Sequence, residues 1–138
     1  MLTLNDIILR LALSIILCGI LGLERQIHKR PLGFRTNALV GLGTTLITVV
    51  AINILADYPE LAMSPAFLFL AIGFIGSGTI IKSGESVVGL TTAATLWVTA
   101  AIGVTIGFGL YTEAVITTIL ALIILLVFKK IDEWVEKK

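Results

Sequence analysis

The sequence predicts an all-α, polytopic membrane helix bundle, and three observations carry that prediction. Of the 138 residues, 57% are hydrophobic and 14% charged, whereas a soluble domain runs near about 45–50% and 25%. The mean hydropathy is +1.07. The charges fall in short clusters that separate five long apolar runs. Lipid as the solvent explains this layout, because a charge at the bilayer centre costs about 2.5–3.5 kcal/mol on insertion scales. So few polar residues could not cover the surface of a soluble protein.

The runs define five transmembrane helices. The first is read over 7–23, with Thr3 and Asn5 offering caps before it and the charged block from Glu24 ending it. The second covers 38–55, with Thr36 or Asn37 as its N-cap. The third covers 65–81: Pro65 suits a first helical position behind Ser64, and Lys82 stops the run. The fourth is 90–108 and the fifth 112–128, closed by Lys129 and Lys130. The fifth is the shortest in apolar residues, so Tyr111–Glu113 is drawn to membrane depth as well. The chain reads as one domain over 1–138, with no internal repeat.

Orientation follows from lysine and arginine. Arg25, Lys29, Arg30 and Arg35 lie between spans one and two, Lys82 between spans three and four, and Lys129, Lys130, Lys137 and Lys138 in the tail. With five spans these segments share one side, and Arg10 alone stays apart. The positive-inside rule makes that side cytoplasmic, with the N-terminus out and the C-terminus in. A four-span chain would scatter the same residues over both sides. In the tail, Phe128, Ile131 and Val135 share a helical face and Trp134 suits the headgroup layer.

Several function classes are excluded. The net charge of +1 gives no reason to expect a nucleic-acid partner. The lone Cys18 implies neither a disulfide framework nor a thiolate metal cluster. No Lys or Arg precedes the first apolar run, so a cleavable leader is not expected. There is no Walker loop, no HExxH and no Ser/His/Asp constellation, so an enzyme is not expected. Glu24 and His28 stand four residues apart, a spacing that fits a salt bridge better than a metal site.

The polar and small residues inside the spans carry the rest. Span one presents Asp6, Arg10, Ser14, Cys18 and Gly22 at i, i+4 spacing. Arg10 either snorkels outward beside Asp6 or turns inward to an acid such as Glu113. Span four presents Thr91, Thr95, Thr99, Gly103 and Gly107, with Thr92 beside them, and the two glycines form a GxxxG. Small residues let helix backbones approach, so this stripe is read as a packing surface, with a solute path as the other reading. Trp97 lies near mid-depth and is expected to face the bundle. Gly73, Gly76 and Gly78 close span three and are expected to pack against span four. An interrupted helix exposing backbone groups to ions would use the same glycines. The loop from Glu24 to Asn37 is the densest polar region, with a turn at Pro31 and Gly33, and it is suited to anionic lipid headgroups or to fixing orientation.

Five blocks together resemble the MgtC/SapB family of prokaryotic membrane proteins. They are Leu21-Gly-Leu-Glu-Arg25, Gly33-Phe-Arg-Thr-Asn-Ala-Leu-Val40, Gly73-Phe-Ile-Gly-Ser-Gly-Thr79, Gly89-Leu-Thr-Thr-Ala-Ala-Thr-Leu-Trp97 and Ala100-Ala-Ile-Gly103. The resemblance covers nearly the whole chain. It implies a multi-pass inner-membrane protein associated with adaptation to low magnesium and, in intracellular pathogens, with survival in the host. Some members are thought to restrain the F-type ATP synthase, and magnesium transport is not a settled activity. Longer members append a cytoplasmic domain similar to ACT-type modules, which this chain, ending at Lys138, is expected to lack.

The motif positions that match are Glu24, Arg25, Arg35, Asn37, Thr91, Thr92 and Thr95. Glu24, Arg25, Arg35 and Asn37 are expected to form a polar cluster at the cytoplasmic mouth of the bundle. The expected partners are the lipid bilayer and another membrane protein or a second copy of the chain. No cofactor is expected, and Mg²⁺ is the ion that the resemblance allows. Two functions follow. One is a non-enzymatic regulator acting through helix–helix contacts and linked to magnesium limitation and membrane energetics. The other is a small transporter or channel for Mg²⁺ or another cation. The acids Asp6, Glu24 and Glu113 sit at span ends with none at mid-depth, which favours the regulator.

Overall fold

A computed structural model describes residues 2–58 and 66–128. In order the elements are α1 (Leu4–Ile27), α2 (Phe34–Asp57), α3 (Ala66–Ser77), β1 (Ile81–Ser83), β2 (Ser86–Val88), α4 (Leu90–Gly107) and α5 (Tyr111–Ile123), which continues as a π-helical turn, Ile124–Phe128. Helices are the expected answer in lipid, where each backbone N–H and C=O must be satisfied within its own segment. Four helical segments, including α5 with its π turn, are long and apolar enough to cross a bilayer. α3 is described over 12 residues, a rise of ~18 Å at 1.5 Å each. The proposed Ser64 cap, Pro65 and the tail beyond Phe128 lie outside the described residues.

The chain alternates direction. The Leu2 amide donates to Asn53 near the end of α2 (3.3 Å), and Arg10 of α1 reaches Gly107 at the end of α4. At the other end, the C-terminal part of α1, the start of α4 and Phe128 meet around one cavity. We call these the Arg10 end and the Arg25 end.

α1 starts earlier than its apolar run because Thr3 and Asp6 form a capping box. The Asp6 amide donates to Thr3 Oγ1 and the Thr3 amide to the Asp6 carboxylate, each at 3.2 Å. α2 also starts earlier, at Phe34, with Gly33 as an N-cap that offers no side chain. The expected caps Thr36 and Asn37 therefore lie inside the helix, and Asn37 has a different task, described below.

α1 ends in a Schellman motif: the Arg30 amide donates to Arg25 O (2.8 Å) and the Lys29 amide to Gln26 O (3.1 Å). Lys29 takes the left-handed position, φ 53, where glycine is customary. α4 ends in the same way, with Gly109 at φ 83, Leu110 N bonded to Thr105 O (3.0 Å) and Gly109 N to Ile106 O (2.8 Å).

The third span departs from its expected course. The helix stops at Ser77, and Ile80 and Ile81 lead into a two-stranded antiparallel hairpin with Ile81 opposite Val88 and Ser83 opposite Ser86. Its two-residue loop places Gly84 first, at φ 62, as a type II′ turn requires. The hairpin closes on Gly89, φ 94, where a Cβ would lie 1.9 Å from Thr79 O. An apolar pair just after two glycines ends the helix here, because a local strand pairing satisfies the backbone that the glycines release.

α1, α2 and α4 form the centre. A Cβ on Gly22 would lie 2.7 Å from Gly33 O, and one on Gly41 2.3 Å from Cys18 Sγ. One on Gly103 would lie 1.9 Å from Thr44 Oγ1, and one on Gly107 2.4 Å from Thr48 Cβ. α2 and α4 therefore meet backbone to backbone at Gly41 and Gly103, and Gly22 meets the backbone at Gly33 and Phe34. The short side chains of Cys18 and Thr48 close on Gly41 and Gly107, the close approach that small residues permit in membranes. Leu17, Leu21, Ile102, Ile106 and Ala114 fill the remaining core, and α5 adds itself against α1 and α4.

α3 packs on α4 more loosely. A Cβ at Gly76 would sit 3.6 Å from Ala93 Cβ and one at Gly73 3.9 Å from Trp97, both ordinary contacts, and Gly78 meets no atom of α4 within 4 Å. Close packing thus does not require these three glycines. Trp97 is 44% exposed and stacks on Phe69 of α3, centroids 5.2 Å apart. It faces α3 rather than the bundle interior, because α3 leaves that side of α4 partly open.

Candidate functional site

The buried polar groups form two sets. The first lies between the central helices. The Asn37 amide donates to Leu32 O (2.5 Å) and Gly33 O (3.1 Å), and its Oδ1 accepts from Thr99 Oγ1 (2.8 Å). Cys18 Sγ lies 3.6 Å from Thr99 O, and Thr45 Oγ1 donates to Gly103 O (2.8 Å). Asn37 therefore ties the α1–α2 turn to α4. Ser14, Thr44, Thr48, Thr95 and Thr118 each donate to a carbonyl of their own helix. In this set each hydroxyl finds a backbone acceptor, which is what a polar group in hydrocarbon needs.

The second set lines a cavity of about 520 Å³ at the Arg25 end. Glu24, Arg25 and His28 from the last turn of α1 and Arg30 and Pro31 from the following turn form one wall. Gly89, Thr91 and Thr92 of the α4 start face them, and Ile124, Leu125 and Phe128 of the π-helical turn supply an apolar side. The Schellman turn at Lys29 brings Arg30 and Pro31 back over the end of α1.

Glu24 and Arg25 are 8% and 5% exposed. Arg25 donates to Thr92 Oγ1 (2.5 Å), and its Nε–H is buried without an acceptor. Glu24 places Oε1 3.0 Å from His28 Nδ1, while Oε2 is buried without a donor. His28 Nδ1 also lies 3.0 Å from Glu24 O, so it faces two acceptors and carries the proton. Two residues lining the cavity thus each keep an unmatched buried atom, of opposite sign, and such groups cost about 1–3 kcal/mol each, more when charged.

The structure brings Glu24 and Arg25 to this cavity with Thr91 and Thr92, and keeps Thr95 just behind them in the packed interior. It does not bring Arg35. That side chain is exposed and makes no ion pair among the described residues. The reason is helical geometry: Arg35 and Asn37 are two apart in α2, about 200° around the axis, and cannot share a face. Asn37 belongs to the interior set and does not line the cavity. Arg10 meets neither Asp6 nor Glu113 in an ion pair; its guanidinium instead donates to Gly107 O and lies 3.0 Å from where a Gly109 Cβ would be. There it complements the negative end of α4. Sequence reading missed Thr99 as the partner of Asn37, and Arg30 and the π-helical turn as walls of the cavity. Of these, Arg30 alone carried a signal, its place beside Pro31.

Among the described residues no three His, Cys, Asp or Glu side chains come together as a metal site. The cavity offers one carboxylate and one imidazole beside two guanidiniums. That donor set fits a resident Mg²⁺ poorly, since Mg²⁺ prefers several oxygens and keeps much of its water.

Helices of this length and composition, held by glycine and hydroxyl contacts, define a multi-pass membrane protein. The MgtC family model matches residues 11–134, and the chain belongs to that family. It is 39% identical over 133 residues to a protein of Escherichia coli (strain K12) named "Putative magnesium transporter YhiD", covering 91% of this chain and 62% of that one. It is 41% identical over 109 residues to Protein MgtC of Brucella abortus (strain 2308), covering 79% and 45%. With Protein SapB of Bacillus subtilis (strain 168) the identity is 33% over 141 residues, covering 96% and 59%. The chain therefore spans about half to three fifths of the length of these relatives. No solved structure matches it.

Proposed function

We propose that this chain is a non-enzymatic regulator in the cytoplasmic membrane, linked to magnesium limitation and membrane energetics. It acts through contacts of its helix faces with another membrane protein or a second copy, and the cavity at the Arg25 end is its working site. That end, which holds Arg25, Lys29, Arg30, Arg35 and Lys82, faces the cytoplasm.

One observation carries the choice of regulator over conduit. α1, α2 and α4 pack so closely that a Cβ at Gly41, Gly103 or Gly107 has no room, and no acid lies at mid-depth among these helices. A hydrated Mg²⁺ needs oxygen ligands along a passage. Among the described residues, two of the three buried charged groups with an unmatched atom, Glu24 and Arg25, belong to residues lining one cavity, while the third, Arg10, is at the other end with its guanidinium on Gly107 O. The second reading, transport of Mg²⁺, draws on the name of the Escherichia coli relative.

Two measurements decide. Purified protein in liposomes loaded with a Mg²⁺ indicator should give the flux of empty liposomes; saturable uptake would replace the regulator reading by the transport reading. In a deletion strain grown at low magnesium, Glu24→Gln and Arg25→Ala should insert at normal levels and fail to complement. Full complementation by both would remove the cavity as the working site.

A further inference from the structure

We propose that the cavity at the Arg25 end binds phosphoethanolamine chemistry: a phosphate and a primary ammonium two carbons apart, presented as a phospholipid headgroup or free in solution. The proposal rests on reading this cavity as the working site. Three groups of atoms converge on it.

The first is the start of α4. Its N-cap is Gly89, which provides no side-chain acceptor. The first bond of the helix runs from Ala93 N to Gly89 O (2.9 Å), so the amides of Leu90, Thr91 and Thr92 have no helical acceptor. An uncapped N-terminus points N–H groups and the positive end of the helix dipole at whatever sits there, and phosphate is the anion such ends take. The second is the pair of guanidiniums. Arg25 is 5% exposed, is held to that same first turn through Thr92, and keeps a buried Nε–H with no acceptor. Arg30, in the same wall, adds a second positive charge. Arginine forks match phosphate oxygens in geometry as well as charge.

The third is of opposite sign. Glu24 spends one carboxylate oxygen on His28 and keeps the other buried with no donor. A simple anion would satisfy Arg25 and the α4 amides but leave Glu24 beside a charge of its own sign. A simple cation would satisfy Glu24 and leave two guanidiniums repelling it. A zwitterion satisfies both. The ammonium must be primary, because it brings N–H donors to the carboxylate oxygen, whereas a trimethylammonium brings none. The apolar wall of Ile124, Leu125 and Phe128 suits acyl chains descending into the bilayer, and a volume of about 520 Å³ holds such a headgroup.

The test is lipid retention by the full chain in mild detergent, read by native mass spectrometry. Phosphatidylethanolamine, phosphatidylcholine and phosphatidylglycerol of equal acyl composition are compared. The ethanolamine lipid should be retained about tenfold more than either other lipid, the factor that one charge-assisted contact of ~1.4 kcal/mol gives. Glu24→Gln should reduce the ethanolamine lipid to the level of the glycerol lipid. Arg30→Ala, at an exposed position that does not threaten folding, should reduce all three. Equal retention of the ethanolamine and choline lipids overturns the proposal. So does an unchanged preference in both variants. Free phosphoethanolamine that displaces the lipid at comparable concentration identifies a soluble ligand of the same chemistry; no displacement identifies the lipid. If retention is unselective while Glu24→Gln still fails to complement, the ligand class falls and the working site stands. If complementation is intact, the working-site reading falls.

Discussion

Replacing Gly103 by alanine adds one methyl group at the tightest contact between α2 and α4. The new Cβ would lie 1.9 Å from Thr44 Oγ1, 2.7 Å from Gly41 O and 3.2 Å from Gly41 Cα. The hydroxyl can rotate away, giving up its bond to Val40 O or Gly41 O, at a cost of about 0.5–1.5 kcal/mol. The Gly41 carbonyl cannot move without α2. It stands roughly 0.6 Å inside a normal C···O approach of ~3.3 Å, so the helices must separate, and overpacking of this kind costs about 1–3 kcal/mol. Alanine recovers ~1 kcal/mol as a better helix former. The net loss expected is about 1–3 kcal/mol. Gly76→Ala is the matched control: its Cβ would meet Ala93 Cβ at 3.6 Å, so the same propensity gain arrives without a clash and stability should hold or rise. Denaturant unfolding in a mild detergent, followed by circular dichroism, measures both variants. If Gly103→Ala is as stable as Gly76→Ala, the backbone contact between α2 and α4 does not exist as described.

Four further outcomes are expected. Lys29→Gly should raise stability by about 1 kcal/mol in the same unfolding assay, because a left-handed conformation costs a side-chain-bearing residue ~1–2 kcal/mol and glycine nothing. Asn37→Ala should lower it by roughly 2–4 kcal/mol, since three hydrogen bonds between the turn, α2 and α4 are lost together. Arg35→Ala should lie within ~0.5 kcal/mol of wild type and be additive with Glu24→Ala in a double-mutant cycle, as the two side chains do not meet; a coupling above ~0.5 kcal/mol would contradict this placement. In a Cys18→Ser background, Glu85→Cys and Glu113→Cys should label from opposite membrane faces with an impermeant thiol reagent, and labelling of both from one face would refute the alternation of the helices.

The helices were legible because lipid makes apolar length nearly sufficient evidence, and their ends were legible less well because caps decide them. Thr3 announced its role, but α2 starts at Phe34 behind Gly33, with no side-chain cap, which no residue pattern signals. The hairpin from Ile81 to Val88 was hidden by its own apolarity: Ile80 and Ile81 read as the continuation of a span. For the site, counting along a loop grouped Glu24, Arg25, Arg35 and Asn37. Once residues 34 onward wind into a helix, adjacency in sequence becomes angle around an axis, and Asn37 goes inward while Arg35 turns out. The i, i+4 stripe of α4 was drawn through Thr91, yet the buried face runs through Thr92, Thr95, Thr99 and Gly103. A spacing of four alone drifts around a helix of 3.6 residues per turn. What no pattern could supply is which side chains lack a partner, since that depends on three elements meeting.

The close seams at Gly22, Gly41, Gly103 and Gly107 also have a mechanical meaning. Side chains between helices act as springs, because rotamers give way before axes tilt. At Gly41, Gly103 and Gly107 that compliant layer is reduced to the short side chains of Cys18, Thr44 and Thr48, so α1, α2 and α4 are geared together like meshed teeth. The two ends of α4 are each held by an arginine of α1, Arg25 at Thr92 and Arg10 at Gly107, so a stiff α4 links the two ends of the bundle.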